Sequence, residues 1–325
     1  MSFADSDTGY LLGYTFHEVL GTECAGYGSD HLMAKTTDGG TTWKRVTPPP
    51  VSAENGSHTM YFATPMIGIV LGSHPWVTTD GSHSWHRVHL PGTGYDAIAA
   101  DGQLWVIAPI CSHHCDFGVF SSPLDTALRL RRDPRAPQFR GDLPYFVHGA
   151  GNEIYIDTDP HLQVGWLWRS ADGATWMRFR GPRDDCAIAA WDATGLAAVC
   201  NDVLYGVGEE SKLTYVSYDA ARSWSEVSAP SVFGYIDDLA AGSSTNWVLT
   251  DARSALQTTI NGGHSWNAVT HFPRIALPNG VGTVQYLAPD TFIAIPAYQP
   301  SRHVLVSHDD GRTWSAITFP KWPYR

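Results

Sequence analysis

Ser307-His-Asp-Asp-Gly-Arg-Thr-Trp314 decides the fold. A hydroxyl residue, an Asp two positions on, a Gly, a second hydroxyl residue and a Trp follow at fixed offsets. The order recurs at Thr36–Trp43, Thr78–Trp85, Ser170–Trp176, Ser217–Trp224 and Thr259–Trp266. The third position falls at Asp38, Asp80, Asp172, Asp219, Asn261 and Asp309, at intervals of 42, 92, 47, 42 and 48 residues. The long interval holds two repeats. A seventh turn is expected near residue 123, where Ser121-Ser-Pro-Leu-Asp-Thr-Ala-Leu128 has Pro123 in place of the Asp and Leu128 in place of the Trp.

A period in the forties marks a propeller or solenoid, in which each repeat is one supersecondary unit that buries its faces against its neighbours. An Asp side chain accepts backbone N–H bonds from the residues that follow, Gly supplies positive φ, and the Trp re-enters the sheet as an apolar anchor. The turns are therefore folding devices, and their five aspartates are not catalytic acids. The expected fold is all-β, a seven-bladed β-propeller of four-stranded antiparallel blades. One domain spans 1–325, with blades at about 1–50, 51–91, 92–138, 139–181, 182–229, 230–273 and 274–325. In blade one the strands are expected at Ser2–Asp5, Tyr10–Tyr14, His31–Thr36 and Trp43–Val46. The other innermost strands are expected to begin near Thr59, Asp96, His148, Cys186, Asp237 and Thr283.

The pattern S/T-x-D-x-G-x-T-W resembles the Asp-box, or bacterial neuraminidase repeat, over nearly the whole chain. Families built this way include sialidases, seven-bladed xyloglucanases, sortilin-type receptors and photosystem II assembly factors. The resemblance implies the propeller and leaves the function open. Sialidases carry an early Phe-Arg-Ile-Pro segment and three arginines that clamp a carboxylate. Here the nearest string is Phe272-Pro-Arg274-Ile275, late and scrambled, and Arg140, Arg183 and Arg274 are the only well-placed arginines. Paired rim aspartates resemble the xyloglucanase type more closely.

The formal charge of −11, with 21 Lys and Arg, argues against nucleic acid or an anionic membrane as partner. Local basic character is concentrated in Arg129–Arg135, read as a solvated outer strand. No run approaches the eighteen or so apolar residues that a membrane span needs. Cys186 and Cys200 flank a hairpin turn at Asp192–Gly195 and fall nearly opposite each other, which makes a cross-strand disulfide plausible. Cys111-Ser-His-His-Cys115 reads as a second small disulfide ring, since one short loop rarely supplies four ligands to a zinc ion. Two disulfides imply an exported, secreted or cell-surface protein, with Cys24 left over; the alternative is a cytosolic protein with reduced thiols. Ser2–Gly13 already looks like the first strand pair, which suggests that a leader or anchor has been removed.

Propeller ligands bind where the blades converge, at the end away from the Asp-boxes. Long second-to-third-strand loops are expected there at Thr15–Asp30, Pro109–Gly118, Asp157–Gly165, Asn201–Lys212 and Pro296–His303. Asp184-Asp185 and Asp237-Asp238 occupy equivalent positions at adjacent innermost strands. Their separation, on the order of 6–10 Å, suits an acid and base pair for glycoside hydrolysis, with a neighbouring charge raising the acid's pKa. Asp185, Asp237 and Asp96 are thus the candidate catalytic residues. Tyr95, Arg140, Arg183, Asp184, Tyr235, Asp238, Arg274 and Tyr298 are candidate substrate contacts. Trp166 and Tyr145 add aromatic surface. The expectation is a monomeric carbohydrate-active enzyme, a glycoside hydrolase acting on an oligo- or polysaccharide with no cofactor or metal. The alternative is a non-catalytic propeller that holds a protein or glycan partner. The two differ in whether Asp237→Asn abolishes turnover.

Overall fold

The computed structural model describes residues 1–19, 26–51, 59–111, 115–125, 128–141, 143–149, 151–159, 165–183, 185–202, 211–228, 236–251, 256–269, 281–287, 290–296 and 303–318. The protein is a seven-bladed β-propeller with four antiparallel strands per blade and no helix among these residues. Blade one contains β1 (Ser2–Phe3), β2 (Thr8–Val19), β3 (Gly26–Thr37) and β4 (Lys44–Val46). Blade two contains β5 (Met60–Phe62), β6 (Gly68–Val70), β7 (Trp76–Thr78) and β8 (His86–Arg87). Blade three contains β9 (Asp96–Ala100), β10 (Gln103–Cys111), β11 (Cys115–Pro123) and β12 (Arg131–Arg132). A short strand β13 (Phe139–Arg140) precedes blade four, which is β14 (Leu143–Val147), β15 (Ile154–Asp159), β16 (Trp166–Ser170) and β17 (Met177–Arg180). Blade five is β18 (Cys186–Ala190), β19 (Leu196–Asp202), β20 (Ser211–Ser217) and β21 (Ser225–Ser228). Blade six is β22 (Ile236–Ala241), β23 (Trp247–Asp251), β24 (Leu256–Thr259) and β25 (Asn267–Ala268). Blade seven is β26 (Val281–Leu287), β27 (Thr291–Pro296), β28 (His303–Ser307) and β29 (Ser315–Thr318).

The blades group into two compact units, residues 1–134 and residues 135–319. In the first unit Tyr10 stacks on Phe62, ring centroids 3.5 Å apart, within a core that also holds Met33, Met60 and Val70. Gly9 lies opposite Phe3, and Gly68 opposite Phe62. A Cβ at Gly68 would lie 2.6 Å from the Phe62 ring, so glycine is what lets the aromatic lie flat on the neighbouring strand. Ile69, Leu71, Leu104, Val106 and Phe120 form the core of blades two and three, where Leu128 is buried as the stand-in for the missing tryptophan. In the second unit Trp191 stacks on Trp247 at 5.9 Å, and Phe292, Leu305 and Val248 form the last interblade layer.

Four of the turns repeat bond for bond. Ser307 Oγ donates to Asp309 Oδ1 at 2.8 Å and accepts from Gly311 N at 2.9 Å. Thr313 N donates to Asp309 Oδ1 at 2.8 Å, and Thr313 Oγ1 donates to Asp309 Oδ2 at 2.6 Å. Asp38, Asp80 and Asp219 make the same set. Blade four, one residue shorter, keeps Ser170 and Thr175 on Asp172. At Asn261 the Oδ1 still accepts from Ser265 N, and the amide now donates to Ser265 Oγ. Ala220 and Ala221 take, at 61° and 65°, the positive-φ positions that Gly39 and Gly40 fill in blade one.

Three expectations shift. Blade four begins at Leu143 and not near His148. Phe146 and Val147 are buried in its innermost strand, which ends at the His148-Gly149 turn, and Pro144 within it had hidden the strand pattern. The loops expected at Thr15–Asp30 and Pro109–Gly118 are largely strand: β2 and β3 stay paired to Val19↔Gly26, and β10 and β11 to Cys111↔Cys115. Cys186 and Cys200 face each other in register and form a disulfide. The side chains of Cys111 and Cys115, and Cys24 altogether, lie outside the described residues.

Candidate functional site

Strand direction puts the Asp-centred turns, which join third to fourth strands, at one end of each blade. The second-to-third connections and the starts of the innermost strands lie at the other end. Most of the candidate residues that are described fall at that second end.

In the second unit, β18 packs beside β22. Asp185 immediately precedes β18 with φ 52°, a left-handed conformation uncommon outside glycine. Two bonds hold it there: Asn201 N donates to its carbonyl at 2.9 Å, and Asn201 Nδ2 donates to Oδ2 at 2.7 Å. Asn201 is buried and faces Lys212 across β19 and β20, and Lys212 is itself fully buried. The Cys186–Cys200 disulfide ties β18 to β19 one residue from Asp185 and Asn201. Asp185 and Arg183 line a small cavity with Asp157, Thr158 and Cys186.

Asp237 is exposed and has no hydrogen-bond partner among the described residues. Partial burial, and then the negative charge of buried Asp251, push its carboxyl above the ordinary range. The neighbouring charge that acts on Asp237 is therefore that of Asp251. Asp238 takes Leu239 N at 2.8 Å and Val284 N at 2.9 Å, which ties β22 to β26. Asp96 accepts from Ala97 N at 2.8 Å in the same strand-start arrangement. Tyr95 N donates to Ile107 O, and its ring meets Phe117 edge-on with centroids 6.0 Å apart. Arg140 ends β13 in an exposed position. Asp184, Tyr235, Arg274 and Tyr298 lie outside the described residues.

Three buried polar residues at this end escaped sequence reading: Asn201, Lys212 and Asp251. Asp251 carried a usable signal, a charge that directly ends the apolar strand Trp247-Val-Leu-Thr with no turn glycine before it. Among the described residues no three His, Cys, Asp or Glu side chains come together as metal ligands.

No protein-family model and no curated protein matches the chain. Solved structures do. The fold is similar to YCF48 bound to D1 peptide (TM-score 0.63, 17% identity, 95% of this chain and 91% of that one). It is also similar to the BP39L lectin from Burkholderia pseudomallei (0.59, 12%, 98% and 100%) and to an oligogalacturonate lyase in complex with manganese (0.55, 10%, 97% and 99%). At such identities the likeness is one of fold. The first neighbour was captured with a peptide, the second is a lectin by name, and the third is a lyase by name.

Proposed function

We propose that the protein is a non-catalytic recognition propeller that holds an extended peptide segment on the hairpins projecting from the end opposite its Asp-boxes. The observation that carries this reading is the length of β2 and β3. They pair from Thr8↔Thr37 to Val19↔Gly26, while β1 covers only Gly9 and Tyr10 and β4 only Met33 to Lys35. Beyond the blade they form a two-stranded ribbon. Among the described residues no third strand pairs with Thr15–Val19 or Gly26–Asp30, and such edges accept an added strand through main-chain bonds. In blade three β10 and β11 likewise stay paired past the end of β9, to Cys111↔Cys115. The candidate acids fit a supporting role, since Asp96, Asp185 and Asp238 each hold a strand start. The capture of a structurally similar propeller with a peptide agrees with this reading. On it the chain is a single exported Asp-box propeller, and the Cys186–Cys200 disulfide supports an oxidising compartment.

Selection from a random-peptide display library tests the proposal. Selected peptides are expected to bind at least about tenfold more weakly to a variant with residues 16–29 replaced by a two-residue turn that restores the hairpin near Thr15 and Asp30. Equal binding, or no selection above background, overturns it.

The raised carboxyl of Asp237 favours a second reading: a glycoside hydrolase with Asp237 as proton donor and Asp185 as its partner at the head of β18.

A further inference from the structure

The outermost strands divide the blades into two sets. β4 carries Lys44 and Arg45, β8 carries His86 and Arg87, β12 carries Arg131 and Arg132, and β17 carries Arg178 and Arg180. No acid lies on any of the four. β21 carries Glu226, and neither β25 nor β29 has a charge. Seven of the chain's 21 Lys and Arg thus fall on four short strands of a protein whose net charge is −11. All seven are exposed. Among the described residues Lys44, Arg45, Arg87, Arg131, Arg178 and Arg180 have no carboxylate partner. The guanidinium of Arg178 lies 4.1 Å from the centre of the Trp166 ring.

Charge on an edge strand ordinarily deters edge-to-edge pairing. That role leaves the distribution unexplained, because β25 and β29 hold the same position in their blades without charge. In the first unit the cations recur in three consecutive blades, so a ligand that meets them all must be long and follow the edges from blade to blade. A peptide added as a strand would engage one edge only. Half-buried Trp43 and Trp85 directly precede β4 and β8, two residues before Arg45 and Arg87, and an indole close in the chain to a guanidinium is a combination that suits a sugar ring bearing a carboxylate.

We propose that β4, β8 and β12 form a binding line for a linear acidic polysaccharide, whose carboxylates pair with Lys44, Arg45, Arg87 and Arg131. The line lies on the outer strands, separate from the ribbon site, and anchors the propeller to an anionic glycan matrix while the ribbons remain open.

Biolayer interferometry with immobilised alginate tests this, with dextran, polyglutamate and phosphatidylserine vesicles as comparators. The expected result is alginate binding that weakens as salt rises and exceeds binding to every comparator. One exposed charge pair is worth about two- to fivefold. The Lys44→Gln/Arg45→Gln/Arg87→Gln variant should therefore bind alginate about tenfold or more weakly, with an unchanged melting temperature because all three side chains are exposed. Glu226→Gln, on a strand outside the line, should bind as wild type does. Absence of alginate binding, equal binding to dextran, a stronger response to polyglutamate or vesicles, or full retention by the triple variant overturns the proposal.

Discussion

Replacing Asp309 separates the geometry of its turn from its charge. The carboxylate takes three hydrogen bonds, from Ser307 Oγ, Thr313 N and Thr313 Oγ1. At about 1 kcal/mol net each, discounted for a half-exposed turn, Asp309→Ala should cost about 2 kcal/mol. An unfolding entropy of about 2 cal/mol/K per residue over 325 residues converts this to a fall of about 3 °C in Tm. Asp309→Asn should cost about 1 °C or less, because Asn261 shows how an amide fills the site: Oδ1 keeps the backbone donor and Nδ2 reverses the hydroxyl bond. Burial works against the Asp309 carboxylate, but the Thr313 and Ser307 donors outweigh it and hold the group below the usual carboxylate range. A depressed pKa gives stability that is present above the unfolded value and is lost as pH falls through the folded one. The small gap between wild type and Asp309→Asn should therefore close below about pH 4. Differential scanning calorimetry of the three proteins from neutral to acid pH measures all of this. Equal losses for Asn and Ala, or no loss for Ala at neutral pH, would refute the reasoning.

Three further outcomes are expected. Asp237 has the opposite sign: its raised carboxyl penalises folding as pH rises through the window above the unfolded value, so Asp237→Asn should be slightly more stable than wild type at neutral pH and equal to it near pH 3. The same calorimetric series reads this directly. The Cys186→Ala/Cys200→Ala variant opens a loop with a sequence separation of 14 and should lose about 3 kcal/mol in urea denaturation, whereas a loss under about 1 kcal/mol would argue against the bridge. Gly68→Ala drives a Cβ to 2.6 Å from the Phe62 ring, and a cost of about 1–3 kcal/mol should accompany altered near-ultraviolet circular dichroism from the Tyr10–Phe62 stack.

Blade count was legible because the turn chemistry is local: Asp, Gly and hydroxyl residues within eight positions specify the bend whatever surrounds it. The decayed third copy was legible only through the doubled interval, since Pro123 and Leu128 carry no turn signal of their own. The cross-strand disulfide followed from one short hairpin. The start of blade four was misplaced because Pro144 in an innermost strand reads as a breaker. Residues 15–30 read as loop in the sequence because they are rich in glycine and polar side chains and lack the alternation of a half-buried strand. At the candidate site the acids beside strand starts could be found in sequence, but their bonding could not. Asp185 depends on Asn201, sixteen positions on, and Asp237 on Asp251, partners that only strand pairing brings near.

Release of reducing ends tests the central claim most directly. Wild type and Asp237→Asn would be incubated with a panel of neutral and acidic polysaccharides from plant, bacterial and animal sources, and the new ends counted. A recognition propeller leaves every polymer intact in both proteins. Ends released by wild type and lost in Asp237→Asn would contradict the account and establish the hydrolase.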